Sequence, residues 1–292
     1  MEQGVPLYQV DAFTDRPFAG NPAAVCLLET APPESWMAGV AAEMNLAETA
    51  FCWPETGALR LRWFTPTVEM DLCGHATLAT AHVLWRERGV NDTEPLTFLT
   101  ASGDLQAEAV GAAEAEGAEG AEGAEGARIR LDFPASVAGP ADPAIVVAAG
   151  AALGASVVDA AAYGPNLLVE VADPAVLRAL APDIPAVAAL PFQGVIATSA
   201  GAGSGSGSGP DYLMRYFAPN AGIDEDPTTG SAQCAAGPWW QARTGRTTFE
   251  VEQASPRTGW LWVEVGDDRI GIAGSAVTVV RGELLSSPPR GA

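Results

Sequence analysis

One phrase occurs twice in this chain, about half its length apart. Arg62-Trp63-Phe64-Thr65-Pro66 runs through an acidic turn into Gly74-His75-Ala76, and Arg215-Tyr216-Phe217-Ala218-Pro219 runs through another into Gly230-Ser231-Ala232. Each copy reads as a strand, a loop and a Gly-started helix. Each helix closes on a Trp/Arg/Gly cluster: Trp85, Arg88, Gly89 in one, Trp240, Arg243, Gly245 in the other. Self-similarity of this kind constrains a fold before any local propensity does. It predicts two half-proteins of one design, with two helix N-termini facing one cleft. Exposed N–H groups and the positive ends of helix dipoles make helix starts suited to carboxylates and oxyanions.

The helical segments 74–88 and 230–243 are apolar almost all round, with Ala76, Leu78, Ala79, Ala81, Val83, Leu84 and Trp85 in the first and Ala232, Cys234, Ala235, Trp239 and Trp240 in the second. Such helices are buried rather than amphipathic. Around them the sequence alternates at period two, as in Leu59, Leu61 and Trp63 against Arg60 and Arg62, so many short strands are expected. No βαβ alternation and no GxGxxG motif is evident, which argues against a Rossmann domain. The expected fold is α+β, with two pseudo-symmetric domains, each a barrel-like, mainly antiparallel sheet around a central buried helix. The N-terminal domain is placed at 1–127, with a strand from 276–288 as a candidate to complete it, and the C-terminal domain at 128–275. Residues 111–127 (Gly/Ala/Glu) and 201–209 (Gly/Ser) lack apolar periodicity and read as low-complexity insertions.

Composition removes several chemistries. All 15 cationic residues are Arg, so a Schiff-base lysine and a P-loop are both excluded. With His75 and His82 the only histidines, a His-rich metal centre cannot be built, and their i, i+7 spacing does not converge on one ion. Cys26, Cys52, Cys73 and Cys234 show no CxxC spacing and read as reduced thiols. A net charge of −21 disfavours nucleic acid and anionic membranes as partners. Without a signal-peptide pattern or a long apolar run, the expected setting is the cytoplasm.

Three groups stand out chemically. Glu48 sits between a helix end and an apolar strand, where desolvation would raise its pKa toward that of a working base; a surface or capping Glu is the plainer reading. His75 opens a buried helix directly after Gly74, where the dipole biases it toward neutrality; a packed core His competes equally. Asp226 lies at the mouth of the second helix, where acidic residues are ordinary helix-start chemistry, and Thr229, Gly230 and Ser231 form a candidate anion-holding turn. Cys73, at the first helix start, is a candidate low-pKa thiol. A two-thiol racemase, however, would need a partner cysteine in 224–229, and that stretch has none.

The motifs Val10-Asp11-Ala12-Phe13, Phe18-Ala19-Gly20-Asn21-Pro22-Ala23-Ala24-Val25, Glu43-Met44-Asn45-Leu46-Ala47-Glu48-Thr49-Ala50-Phe51, Asp71-Leu72-Cys73-Gly74-His75-Ala76-Thr77, Leu131-Asp132-Phe133-Pro134 and Gly222-Ile223-Asp224-Glu225-Asp226-Pro227-Thr228-Thr229-Gly230-Ser231-Ala232 follow in the order seen in the PhzF-like family of phenazine biosynthesis. The chain resembles that family nearly end to end; its fold is related to diaminopimelate epimerase. The resemblance implies a cofactor-independent isomerase that moves a proton on a small, cyclic or conjugated amino or carboxylic acid. Carried over, Glu48 is the proton-shuttling acid/base and His75 and Asp226 assist. Asn21, Gly74, Thr229, Gly230 and Ser231 bind the substrate, no metal takes part, and a homodimer is the default assembly. Ala47 replaces a common Ser and Thr228 a common Ala, so the phenazine substrate itself is not implied. A Cys73-dependent racemase or epimerase and a non-catalytic small-acid binding protein are the alternatives.

Overall fold

The computed structural model describes residues 4–111, 128–205 and 208–289. The chain divides into two compact units, one of residues 1–132 with 273–292 and the other of residues 133–272. The boundary thus falls inside the strand Arg128–Pro134, and the strand Ala276–Leu284 lies with the N-terminal unit.

In the N-terminal unit, Val5–Ala12 lies antiparallel between Ala276–Leu284 and Asn21–Leu27. Asn21–Leu27 then runs parallel to Glu48–Glu55, with the helix Glu34–Met44 as the crossover. Glu48–Glu55 pairs antiparallel with Ala58–Phe64, which runs parallel to Leu96–Thr100 across the central helix, Gly74–His82. Gly103–Val110 and Arg128–Pro134 complete the sheet antiparallel. The C-terminal unit repeats this order. Val157–Tyr163 is antiparallel to Asn166–Val171, which is parallel to Gly194–Ala200 through the short helices Pro174–Ala179 and Ile184–Ala188. Tyr212–Ala218 follows antiparallel and runs parallel to Thr248–Gln253 across the helix Gln233–Thr244.

The expectation that βαβ crossovers are absent is therefore corrected: each unit has two, inside a sheet that is otherwise mainly antiparallel. A parallel pair needs a connection long enough to recross the sheet, usually through a helix. Here the helix is either the external one or the central one. The duplication thus extends across each whole unit, well beyond the phrase that reveals it in sequence.

The central helices are wrapped by their own sheets. Every residue from Gly74 to Ala81 is buried, and the helix touches Val5–Ala12, Asn21–Leu27, Glu48–Glu55, Gly103–Val110 and Ala276–Leu284. A helix covered on all sides needs small residues, and Gly74, Ala76, Thr77, Ala79, Thr80 and Ala81 provide them. Its threonines satisfy themselves, Thr77 Oγ1 donating to the Cys73 carbonyl and Thr80 Oγ1 to that of Ala76. The helix then loosens into a π turn at Val83–Glu87. In the second unit Gln233–Gly237, Trp239 and Trp240 are buried. Pro238 cannot donate to the Cys234 carbonyl; the Ser136 amide does so instead, at 2.9 Å.

The second helix starts at Gln233, not at Gly230 as the sequence predicts. Gly230–Ala232 instead forms a tight i→i+3 turn, Gln233 N–H bonding to the Gly230 carbonyl and Cys234 N–H to that of Ser231.

The repeated Arg now has a physical reason. Arg62 stacks on Phe64 and pairs with Glu69, its Nε lying 2.6 Å from Oε1. Arg215 stacks on Phe217 and pairs with Glu225 at 2.7 Å. Each glutamate lies on the short strand that folds back on the Arg-bearing strand, Glu69–Met70 and Ile223–Asp226 respectively. The two-toothed Arg–carboxylate contact holds the return segment that leads to the central helix.

Residues 112–127 and 206–207, parts of the two expected insertions, lie outside the described residues. The described part of the second is ordered by glycine. Gly201 N–H bonds the Asp211 carbonyl and Gly203 N–H the Pro210 carbonyl, an approach so close that a Cβ at Gly201 would lie 2.1 Å from the Pro210 oxygen.

Burial separates two substitutions. Leu78→Ala, in the wrapped helix, should cost about 2–5 kcal/mol in urea unfolding of the N-terminal unit. Val147→Ser, on an exposed helix face, should stay within about 0.5 kcal/mol of wild type.

Candidate active site

The N-terminal unit gathers four of the singled-out side chains: Asn21, Glu48, Cys73 and His75. Glu48 begins its strand opposite Ala23 and is 6 % exposed; His75 is 4 % exposed. His75 Nε2 lies 3.2 Å from Glu48 Oε2, without the alignment of a hydrogen bond, so both atoms are buried and short of a partner. On the other side of the ring, Nδ1 meets the Asn21 amide Nδ2 at 3.2 Å and Cys73 Sγ at 3.5 Å. Asn21 arrives there through Gly20, whose φ of +60° and close approach to the Ala12 carbonyl no side chain would tolerate.

The electrostatics correct the expectation that His75 is neutral. Burial pulls its pKa down, but the Cys73 sulfur and the Glu48 carboxylate outweigh burial and hold it well above the ordinary 6.5. The helix dipole acts locally and is overridden by a carboxylate brought up from another strand. Cys73 moves the other way from a reactive thiol: burial pushes its pKa up and the Glu48 charge adds to that, against His75 and the Ala76 N–H. His82, half-buried and bonded to Thr278 Oγ1, is pushed down to about 4 by burial.

Glu48, Cys73 and His75 each offer a ligand atom within 4.8 Å of the others. The sulfur lies 3.5 Å from Nδ1 and the carboxylate 3.2 Å from Nε2, one at each nitrogen of the ring. As a metal site the set is one donor short of a closed tetrahedral centre. It suits a line of proton-carrying groups: thiol, imidazole, carboxylate.

The C-terminal unit gathers Asp226, Thr229, Gly230 and Ser231 in one turn ahead of its central helix. Asp226 and Thr229 are each 7 % exposed, and Thr229 Oγ1 donates to Asp226 Oδ2 at 2.5 Å. The Thr229 N–H, expected to face a substrate anion, is taken by Gln253 Oε1 at 2.7 Å. Gly74 is buried at the start of the first central helix and Gly230 in the second unit's turn, while Ser231 is exposed. Gln253 was not singled out from the sequence; it lies 24 residues after Thr229, with no motif to mark it.

The family model for phenazine biosynthesis-like proteins matches residues 10–282. The chain belongs to that family. It is 39% identical over 282 residues to an uncharacterized isomerase of Halalkalibacterium halodurans, covering 96% of this chain and 98% of the relative. It is 41% identical over 280 residues to an uncharacterized isomerase of Pseudomonas aeruginosa, covering 96% and 98%. The crystal structure of a PhzF-family phenazine biosynthesis protein from Enterococcus faecalis superposes with a TM-score of 0.82 at 38% identity, over 97% of this chain and 100% of that one. With these relatives the protein is an isomerase of the two-domain PhzF-like fold. Among the described residues no helix is long and apolar enough to cross a membrane.

The two histidines should titrate in opposite directions. Imidazole NMR should find His75 still protonated above pH 6.5 and His82 neutral until about pH 4. A raised native pKa means that the stability from His75 is present below pH 6.5 and lost as pH rises through its native value. For His82 the contribution is present above 6.5 and lost as pH falls toward 4. Glu48→Gln should lower the His75 midpoint; an unchanged midpoint would show that the carboxylate does not hold it.

Proposed function

We propose that this isomerase moves a proton on a small cyclic or conjugated amino or carboxylic acid, using its own side chains and no cofactor. The observation that carries the reading is the buried Glu48 carboxylate, whose Oε2 lies 3.2 Å from a His75 held toward its charged form. The Glu48 carboxylate takes the proton from a substrate carbon, and the electron pair left behind delocalises into the conjugated system. The resulting carboxylic acid returns the proton at another carbon, and Glu48 is regenerated. His75 assists by pairing with the Glu48 carboxylate before the first transfer and after the second. Asp226 assists from the second unit. Asn21, Gly74, Gly230 and Ser231 hold the substrate, with Thr229 contributing its hydroxyl while its amide stays with Gln253. The proposed working form is a cytoplasmic homodimer, the commonest symmetric assembly.

A specific contact supports one competing reading: Cys73 Sγ lies 3.5 Å from His75 Nδ1, the arrangement of a thiol beside a base. Burial, which keeps that thiol protonated, weighs against it.

Deuterium incorporation separates the two. Incubated in D2O with a panel of cyclic and conjugated amino acids, the wild type should exchange a carbon-bound proton on at least one. Glu48→Gln should slow that exchange about 10²–10⁴-fold, and Cys73→Ser should leave it largely intact. The reverse pattern would overturn the proposal in favour of a cysteine-dependent epimerase.

A further inference from the structure

The turn that carries Asp226 and Thr229 is held from beneath by a residue outside every motif. Gln253, at the end of the strand Thr248–Gln253, is fully buried and spends its whole amide on this turn. Its Oε1 accepts from the Thr229 N–H at 2.7 Å. Its Nε2 donates to the Asp226 carbonyl at 2.7 Å and to Thr229 Oγ1 at 3.2 Å. Thr229 Oγ1, with that lone pair occupied, points its own proton at Asp226 Oδ2. Two residues on, Ser255 Oγ donates to the Pro227 carbonyl at 2.7 Å. From the neighbouring strand, Gly259 leaves room for Thr228: a Cβ there would lie 2.0 Å from Thr228 Oγ1.

Within this one unit, then, peptide groups of Asp226, Pro227 and Thr229 are set by two side chains, Gln253 and Ser255, at and just beyond one strand end. A turn that only linked a strand to a helix would not need this. Asp226 and Thr229 are polar and buried, and a buried polar group keeps one geometry only if its partners fix it. We infer that Gln253 is a positioning residue: it sets the Asp226–Thr229 turn so that the Gly230 and Ser231 amides are preorganised for a substrate carboxylate. The inference rests on the proposed role of that turn in substrate binding. It adds that anion affinity is controlled from the Thr248–Gln253 strand.

The test uses amide NMR of the full chain titrated with benzoate, with benzyl alcohol as the uncharged control. In the wild type the Gly230 and Ser231 amide resonances should shift saturably with benzoate and not with benzyl alcohol. Gln253→Met keeps volume but removes all three hydrogen bonds; it should weaken the benzoate Kd about 10- to 100-fold, because small misplacements of binding groups cost about that much. A merely structural Gln253 would lower Tm and leave the Kd of the folded protein unchanged; that result overturns the inference. If wild type itself shows no response at Gly230 and Ser231, the binding role of the turn fails and the inference falls with it. Should Gln253→Met not fold, the wild-type Gln253 side-chain amide decides: its resonances should shift with benzoate, and constancy through saturation would overturn the inference.

Discussion

Each half of this protein is organised by a helix whose first turns are buried, Gly74–Ala81 in one and Gln233–Gly237 in the other. A sheet can close around a helix only if the helix is slim, and that constraint selects Gly74, Ala76, Ala79 and Ala81 in one unit and Ala235, Ala236 and Gly237 in the other. In the second unit a Cβ at Gly237 would already lie 3.0 Å from Val265. The same constraint explains why neither helix shows an amphipathic stripe. It also fixes where chemistry can happen. The only parts of such a helix that are not covered by sheet are its ends, and the N-terminal end offers N–H groups without intrahelical partners.

The two units use that end differently. In the first, Cys73-Gly74-His75 brings ionisable groups to the helix start, and the parallel pairing of Asn21–Leu27 with Glu48–Glu55 delivers Asn21 and Glu48 to the same imidazole. In the second, Thr229-Gly230-Ser231 brings hydroxyls and amides, with Asp226 as the one carboxylate. One frame thus places ionisable groups at the helix start in one copy and hydroxyls and amides ahead of the helix in the other. The Arg62–Glu69 and Arg215–Glu225 contacts, common to both, hold the return strands that lead to these unlike loops.

What was legible in the sequence follows the range of the interactions involved. The duplicated phrase, the buried helices around Leu78 and Trp240, and most strand positions rest on local pattern, and they were visible. Glu48, His75 and Asp226 stand out by position, each beside an ordinary explanation, and their particular roles follow only from resemblance to the family. The parallel crossovers were missed because nothing local announces that Ala23 will lie opposite Glu48. The charge of His75 is hidden for the same reason: the dipole is local, while the carboxylate that overrides it arrives from another strand. Gln253 left no trace, because its role comes from reaching a turn 24 residues earlier. The likeness of Gly230 to Gly74 points to a helix start, and the tight turn before Gln233 breaks that analogy.

The central claim is that the Glu48 carboxylate carries the proton. Chemical rescue tests it most directly, since Glu48→Ala leaves a space of carboxylate shape next to His75. With a substrate that exchanges in D2O, the account predicts that Glu48→Ala is inactive alone and regains exchange saturably on addition of formate, but not of chloride. Wild-type exchange by Glu48→Ala without any added carboxylate would contradict it.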